Sequence, residues 1–335
     1  MSLKSDLKHD KAHASLKERE RSTSKKYNRA VKELSAVERE MEALLEIKGS
    51  TKTHSINPRL AHTKSEATVV VCASDWHVEE EVKKSKVSGL NQYNLDIARF
   101  RAHQFFVRAA KLTKKEQQDI PIKEMVLFLG GDFISGNIHE ELLENCLLRP
   151  IEAALYAQEL IQSGIEFLLN HTKLKLTVVC TCGNHGRITK KTHISTEQGN
   201  SLEYFMYHTL RQRMECDRAR FVIGDGYHIY LPIYDKVFRF HHGHSIRYQG
   251  GIGGLTIPVN KAIAQWNKAR WADHDVYGHW HTYMPLSNFV GNGSLIGYNA
   301  FAVSIKADFE RPQQAMFLVD KVRGRTVHMP ILFDK

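Results

Sequence analysis

The sequence lacks the features that mark secreted and membrane proteins. No apolar run approaches the roughly 20 residues of a transmembrane helix, and no basic stretch with an apolar core opens the chain as a secretory signal. The five cysteines are odd in number and form no C-x-x-C pair, which disfavours a disulfide framework. We therefore expect a soluble, intracellular, cytoplasmic protein with reduced thiols and no membrane contact.

Internal repeats are also absent, and acidic residues are outnumbered. The 335 residues allow one large domain or two smaller ones. The formal net charge is +10, with 47 lysines and arginines against 37 aspartates and glutamates. A basic balance favours association with a polyanion such as nucleic acid, although it says nothing about the fold.

The composition changes after about residue 66. Residues 1–66 form a basic helical arm and linker, and residues 67–335 form the predicted catalytic domain. We expect the first two dozen residues, which lack an apolar stripe, to be frayed. The spacing after them predicts a helix that ends near Gly49, followed by a linker over Thr51–Ser65. Its seam, suited to packing on the catalytic domain or to a homodimer, consists of Tyr27, Ala30, Leu34, Val37, Met41 and Leu44.

Five short polar clusters each follow an apolar strand candidate. The strand candidates are Thr68–Ser74, Glu124–Leu129, Leu174–Cys182, Lys236–His241 and Val276–Tyr277. The clusters that follow them are Asp75-x-His77, Gly131-Asp132, Gly183-Asn184-His185, His242-Gly243-His244 and Gly278-His279-x-His281. Side chains at the ends of strands can converge on one rim of a sheet. Imidazole, carboxylate and amide donors suit divalent metals of intermediate softness.

This ordered series resembles the calcineurin-like metallophosphoesterase superfamily, whose motifs run D-x-H, G-D, G-N-H-[DE], H and G-H-x-H. The resemblance spans about Thr68 to Tyr283. Within the superfamily, the sequence is similar to phage-type phosphoesterases and repair exonucleases, and the first of these would fit a phage or prophage origin. It implies an α/β fold, a metallophosphoesterase-type sandwich of two mixed β-sheets flanked by helices. The N-terminal helical extension is added to that fold.

The resemblance also implies two divalent metal ions. Manganese is the expected metal, with iron, zinc or magnesium as alternatives. The family's roles assign Asp75, His77 and His281 to the first ion, Asn184, His242 and His279 to the second, and Asp132 as the bridge. A water shared by both ions is then the expected nucleophile.

His185 is, by the same resemblance, the catalytic histidine that stabilises the transition state and can protonate the leaving oxygen. Orienting a metal ligand is the alternative role. The substrate-binding candidates are His139, Arg187 and His244. Each has a plainer alternative: an exposed loop histidine, a surface arginine, and a group that supports a ligand. The glycine-rich segment 250–254, ahead of a helix beginning near Pro258, is either a phosphate-binding loop or a simple turn.

Two departures from family patterns, and one retained residue, bear on the catalytic role of His185 and on the substrate class. Gly186 stands where an acid usually follows G-N-H, so any acid that orients His185 must come from elsewhere. Phe133-Ile134-Ser135-Gly136 replaces the V-D-R-G of serine/threonine protein phosphatases. His77 is retained where RNA-debranching relatives carry cysteine.

Further elements are predicted around these motifs. Helices are expected after a cap at Asn94 or Asp96, within Glu140–Asn170, and over Ser201–Arg213. Leu295–Val303 and Gln314–Pro330 are predicted as strands, the second folding back at Arg323-Gly324.

The sequence thus predicts a dinuclear metal-dependent phosphodiesterase, a nuclease acting on nucleic acid. The alternatives are a phosphomonoesterase, a phosphodiesterase for small cyclic or dinucleotide substrates, and a non-catalytic scaffold. DNA against RNA, polarity of cleavage and any partner ATPase remain open at this point.

Overall fold

A computed structural model describes residues 3–50, 65–247 and 254–333. Two compact units make up the chain, Met1–His62 and Thr63–Lys335. The linker predicted over Thr51–Ser65 lies almost wholly outside the described residues, as does segment 250–253 of the glycine-rich loop.

The first unit consists of helix α1, Leu3–Ser50. The prediction of a frayed or disordered beginning is wrong for the described residues, because the helix runs unbroken from Leu3 onwards. Thirteen of the first 24 residues are lysine, glutamate, arginine, alanine or leucine, and all of these types favour helix without needing an apolar stripe. The seam side chains from Tyr27 to Leu44 are exposed within this unit.

The second unit contains eleven strands and six further helices among the described residues. The strands are β1 Ala67–Ala73, β2 Ile122–Leu129, β3 Lys175–Cys180, β4 Ala219–Ile223, β5 Ile229–Ile233, β6 Lys236–His241, β7 His274–Tyr277, β8 Met284–Pro285, β9 Phe289–Gly291, β10 Gln313–Asp320 and β11 Gly324–Leu332. The helices are α2 Leu95–Glu116, α3 Glu140–Asn145, α4 Pro150–His171, α5 Leu202–Met214, α6 Thr256–Ala269 and α7 Ala300–Ser304.

The strands form two mixed sheets, which confirms the predicted fold class. The first has the order β11-β10-β1-β2-β3-β4. Its strands β1 to β4 are parallel, β10 pairs antiparallel with β1, and β11 pairs antiparallel with β10. The second has the order β5-β6-β7-β9-β8, with β6, β7 and β9 parallel. Parallel strands bring their carboxyl ends to the same edge of a sheet.

Alternating side chains of β1 show how the layers pack. Val69 and Val71 lie in the core beneath helices α2, α4 and α5, whereas Val70 and Cys72 face the second sheet. In that inter-sheet core the rings of Phe128 and Phe240 lie 5.0 Å apart. Because β1 is buried on both faces, its sequence is a nearly continuous apolar run.

Two local predictions have opposite outcomes. Asn94 caps α2, since its side-chain oxygen accepts a hydrogen bond from the Ile97 N–H at 3.0 Å. The strand predicted over Leu295–Val303 is wrong. The carbonyls of Leu295 and Ile296 accept hydrogen bonds from the buried Arg101 guanidinium instead of a neighbouring strand, and the run ends in α7. None of the helices described here is long and apolar enough to cross a membrane.

Candidate metal centre

The seven candidate ligands all lie just beyond strand ends. Asp75 and His77 follow β1, Asp132 follows β2, and Asn184 follows β3. His242 follows β6, and His279 and His281 follow β7, in the opposing sheet. All seven candidate ligands therefore lie at the carboxyl ends of parallel strands, where the sequence predicts them.

Six of these side chains form two groups of donor atoms. Asp75, His77 and His281 make one group, and the other consists of Asp132, His242 and His279. Within each group the donor atoms lie within 4.8 Å of one another. Each group matches the mixture of imidazole and carboxylate that a divalent transition metal accepts.

Backbone hydrogen bonds hold the two groups side by side. The His279 N–H donates to both carboxylate oxygens of Asp75 at 3.0 Å. The Trp76 N–H donates to the Asp132 carbonyl at 2.9 Å. The geometry places the Asp132 carboxylate in the second group, while its backbone contacts the loop of the first.

The partners of two histidines fix which ring nitrogen is free. His242 Nδ1 lies 2.7 Å from the Gly130 carbonyl, which can only accept, so Nδ1 carries a proton and Nε2 is the nitrogen that could bind an ion. Ser135 Oγ donates to Glu80 at 3.2 Å and lies 3.0 Å from His77 Nδ1, from which it accepts. Such outer hydrogen bonds orient metal-binding imidazoles.

Buried donor atoms without hydrogen bonds fit a cation. In the described part of the chain, Asn184 Oδ1 is buried without a hydrogen-bond partner. His242 Nε2 lies 2.9 Å from Asp132 Oδ2, yet the pair lacks hydrogen-bond alignment. Unsatisfied buried polar atoms are costly, and a shared cation is the partner that this donor set fits.

Protonation of the second group is governed by burial and by mutual attraction. Burial lowers the pKa of His242, but the Asp132 carboxylate outweighs it and raises that pKa to about 10. Burial conversely raises the pKa of Asp132, and the facing His242 and His185 rings outweigh this and hold it well below its usual range. A bound cation would replace the proton on His242, so metal binding and proton release are linked.

Five of the seven candidate ligands have left-handed backbone conformations. The φ angles are 57° at Asp75, 46° at His77, 53° at Asp132, 68° at His279 and 52° at His281. Such conformations are sparse for residues other than glycine and cost about 1–3 kcal/mol when the surrounding fold imposes them. Concentrated strain of this kind is typical of functional sites.

Three features agree: the order of the candidate ligand loops along the chain, the two facing mixed sheets, and the two adjacent groups of donor atoms. This is the arrangement that the resemblance to the calcineurin-like metallophosphoesterases predicts. No family model and no curated protein sequence matches the chain.

Solved structures with a similar fold include three from different organisms. A predicted phosphoesterase of Streptococcus pneumoniae is 10% identical, with 76% of this chain and 83% of that chain covered and a TM-score of 0.30. A hypothetical protein of Pyrococcus horikoshii is 12% identical, with 80% and 89% covered and a TM-score of 0.37. A single mutant of Vps29 from Entamoeba histolytica is 13% identical, with 79% and 99% covered and a TM-score of 0.31. These values are too low to carry a functional argument.

His185 lies beside the two donor groups. Its N–H donates to Asp132 Oδ1 at 2.8 Å, and its ring packs edge-on against His77 at 4.9 Å. Its Nδ1 faces the Ser135 carbonyl at 2.8 Å, so Nδ1 donates and Nε2 remains for a substrate. The group that orients His185 is thus a backbone carbonyl and not an acid.

Glu203, on α5, occupies the space that the missing acid leaves. A Cβ at Gly186 would lie 2.8 Å from Glu203 Cγ, so any side chain there would displace Glu203. The buried Glu203 carboxylate accepts hydrogen bonds from the N–H groups of Phe133 and Gly183, both at 2.7 Å. It thereby joins the loop of Asp132 to the loop of Asn184. Burial, with repulsion from Asp132, raises the pKa of Glu203 to about 8.

The three substrate-binding candidates differ in position. His139 is exposed, with its ring 6.1 Å from that of His185. Arg187 donates to the carbonyls of Asn184 at 2.6 Å and Thr189 at 3.2 Å, which ties it to a ligand loop. The His244 side chain is only 5% exposed, and its Nε2 lies 3.1 Å from Glu197 Oε1. This placement favours a supporting role for His244 over substrate contact.

Sequence reasoning missed the residues that support the ligands from a distance. Glu203 lies in a helix with no motif around it, and no sequence signal points to it. Ser135 follows Asp132 by three positions, so its closeness could have been inferred. Asn292 donates to Ser74, whose hydroxyl in turn donates to Asp75 at 2.5 Å, and this chain spans more than 200 positions of sequence.

Proposed function

We propose that the chain is a dinuclear metal-dependent phosphodiesterase that hydrolyses phosphoester bonds of nucleic acid. The observation that carries the proposal is the pair of adjacent donor groups with the free Nε2 of His185 beside them. Adjacent metal sites of this kind serve in-line displacement at phosphorus.

The chain's own residues would divide the work as follows. The group around Asp75 would hold one ion, and the group around Asp132, with Asn184, the other. Two bound divalent ions, with manganese the expected metal, would supply Lewis-acid activation of water and would neutralise charge on the phosphoryl oxygens. His185 holds its Nδ1 proton on the Ser135 carbonyl, so its Nε2 can deliver a second proton to the leaving oxygen.

Charge supports nucleic acid as the substrate. The formal net charge is +10, and residues 1–66 carry fifteen lysines and arginines against ten aspartates and glutamates. A basic surface raises the local concentration of a polyanion and speeds its association.

Replacing Asp132 by Asn tests the metal chemistry. The neutral amide removes the carboxylate that faces His242, so we expect loss of bis-nitrophenyl phosphate hydrolysis in manganese and lower metal content by elemental mass spectrometry. Asp119→Asn, at an exposed position after α2, is the matched control. Near-normal activity of Asp132→Asn with full metal content would contradict the proposed centre.

Salt dependence tests the substrate class. Binding of labelled DNA and RNA to the Asp132→Asn protein should weaken steeply as salt rises, because each neutralised phosphate releases counterions. Hydrolysis of nitrophenyl diesters without salt-dependent binding of either polymer would instead support a small-substrate phosphodiesterase. Retained metal without turnover of any phosphoester would support a scaffold.

A further inference from the structure

A cavity of about 530 Å³ opens beside the metal centre. This volume lies within the range of about 300–1,000 Å³ that is usual for small-molecule sites. His185 forms part of its wall, so the cavity is continuous with the reacting end of the site. The lining residues are Gly136, Asn137, Arg149, Pro150, Ile151, Glu152, His185, Arg187, Ile188 and Leu202.

The lining combines apolar surface with two cations. Ile151 and Ile188 are 67% and 65% exposed, which is unusual for large aliphatic side chains beside a polar site. Arg149 and Arg187 provide positive charge at the same wall. The one acid, Glu152, accepts a hydrogen bond from the Arg149 N–H at 2.9 Å.

Arg187 is fixed with part of its guanidinium free. Its hydrogen bonds to Asn184 and Thr189 use Nη1 and Nε. Within the described residues, its Nη2 has no hydrogen-bond partner. The guanidinium is therefore held next to the ligand loop with a donor left for an anion, and arginine suits phosphate oxygens.

The geometry points to this cavity as the binding site for the nucleotide that leaves the scissile phosphate. A nucleobase has flat apolar faces that suit Ile151 and Ile188, and the next phosphate of the strand suits Arg149 and Arg187. We assign the cavity to the leaving nucleotide because His185, the residue proposed to protonate the leaving oxygen, is part of its wall. The inference rests on the proposed function and makes the substrate an oligonucleotide.

Two substrates distinguish an effect on binding of the leaving nucleotide from an effect on the hydrolytic reaction itself. Dithymidine monophosphate releases a nucleoside, whereas bis-nitrophenyl phosphate releases nitrophenolate. For Ile188→Ala and for Arg149→Ala, we expect the ratio of kcat/KM between the first and the second substrate to fall about tenfold, the scale of one lost contact. Val322→Ala and Lys111→Ala, at exposed positions outside the cavity, are the matched controls and should leave the ratio unchanged.

A binding measurement checks the same site without turnover. In the Asp132→Asn protein, fluorescence anisotropy with labelled tetrathymidylate should show about tenfold weaker binding when Arg149 or Ile188 becomes Ala. An unchanged substrate ratio, or equal losses in the controls, would overturn the inference. Failure of the wild-type protein with manganese to hydrolyse bis-nitrophenyl phosphate would overturn the proposed function itself, and the anisotropy result would still decide whether the cavity binds nucleotides.

Discussion

The ring and the backbone N–H of His185 have different hydrogen-bond partners, a neutral carbonyl for the ring and a carboxylate for the N–H. The Ser135 carbonyl fixes the ring through Nδ1, while the Asp132 carboxylate accepts from the backbone N–H of His185. A carbonyl orients an imidazole without adding a full negative charge. The Ser135 carbonyl thus holds the ring in place and leaves Nε2 to face a substrate.

Removing this imidazole should affect turnover and not metal binding. For His185→Ala we expect oligonucleotide hydrolysis to fall by about two to four orders of magnitude, the usual scale for general acid–base help. Hydrolysis of a nitrophenyl diester should fall less, because nitrophenolate leaves without a proton. Metal content and both rates are measured together, with exposed His103→Ala as control. A drop in metal content would show that His185 supports a ligand.

Glu203 and Gly186 form a pair that a variant cycle can test. Glu203→Ala leaves the N–H groups of Phe133 and Gly183 unpaired, so the protein should lose about 1–3 kcal/mol of unfolding free energy for each. Gly186→Glu alone should also destabilise, because the two side chains compete for one space. The double variant Gly186→Glu with Glu203→Ala should recover stability and metal content, measured by urea unfolding and elemental analysis. Additive losses would contradict the pairing.

The sequence predicts residues of the site unevenly. Asp75, Asp132 and His279 lie in short motifs directly after apolar runs, so local pattern is enough to find them. Glu203 and Asn292 act through contacts across the fold, and their neighbours in sequence carry no signal. Long-range support of this kind depends on packing, which a single sequence does not display.

At the scale of elements, strands were predictable where they are buried on both faces. The strand candidate Lys236–His241 coincides with β6, and the bounds of Thr68–Ser74 differ from those of β1 by one residue at each end. The failure at Leu295–Val303 has a physical cause. Leu295 and Ile296 are buried, but the buried Arg101 guanidinium donates to their carbonyls, and burial alone does not make a strand.

Helix α1 presents an apolar seam that is open within its own unit. Leu34 and Met41 are 60% and 59% exposed. We propose that a second copy of the chain covers the seam, so the wild-type protein should sediment as a homodimer. Replacing Leu34 and Met41 together by Lys should yield a monomer, because buried unpaired charges oppose association.

Ala36→Lys with Ala43→Lys is the matched control for this test. Both positions lie on the same helix but away from the a/d seam. The control should remain dimeric in sedimentation velocity. Identical masses for wild type, seam variant and control would exclude the dimer.

At the scale of the molecule, half-buried histidines outside the candidate metal centre link stability to pH. Burial lowers the pKa of His228 to about 3 and the pKa values of His274 and His328 to about 4. Their ordinary pKa is about 6.5. The folded state therefore binds these protons only at a lower pH than the unfolded state does. Stability from this source is present above pH 6.5 and is lost as the pH falls towards 4.

Replacing His274 by Gln should reduce this loss. The free energy of unfolding, measured in urea at pH 7, 6, 5 and 4, should decline less steeply for His274→Gln than for the wild type. His103→Gln, at an exposed position on α2, should follow the wild-type slope. Parallel curves for His274→Gln and the wild type would contradict the assignment.

The left-handed conformations at the ligands also bear on how such a chain evolves. Glycine adopts positive φ readily, so Gly at Asp75, His77 or Asp132 would relieve local strain while removing a metal ligand. Selection for heat resistance without selection for activity would therefore favour replacement of these residues. In laboratory evolution toward thermostability, the metal centre should be among the first features lost unless turnover is screened in every round.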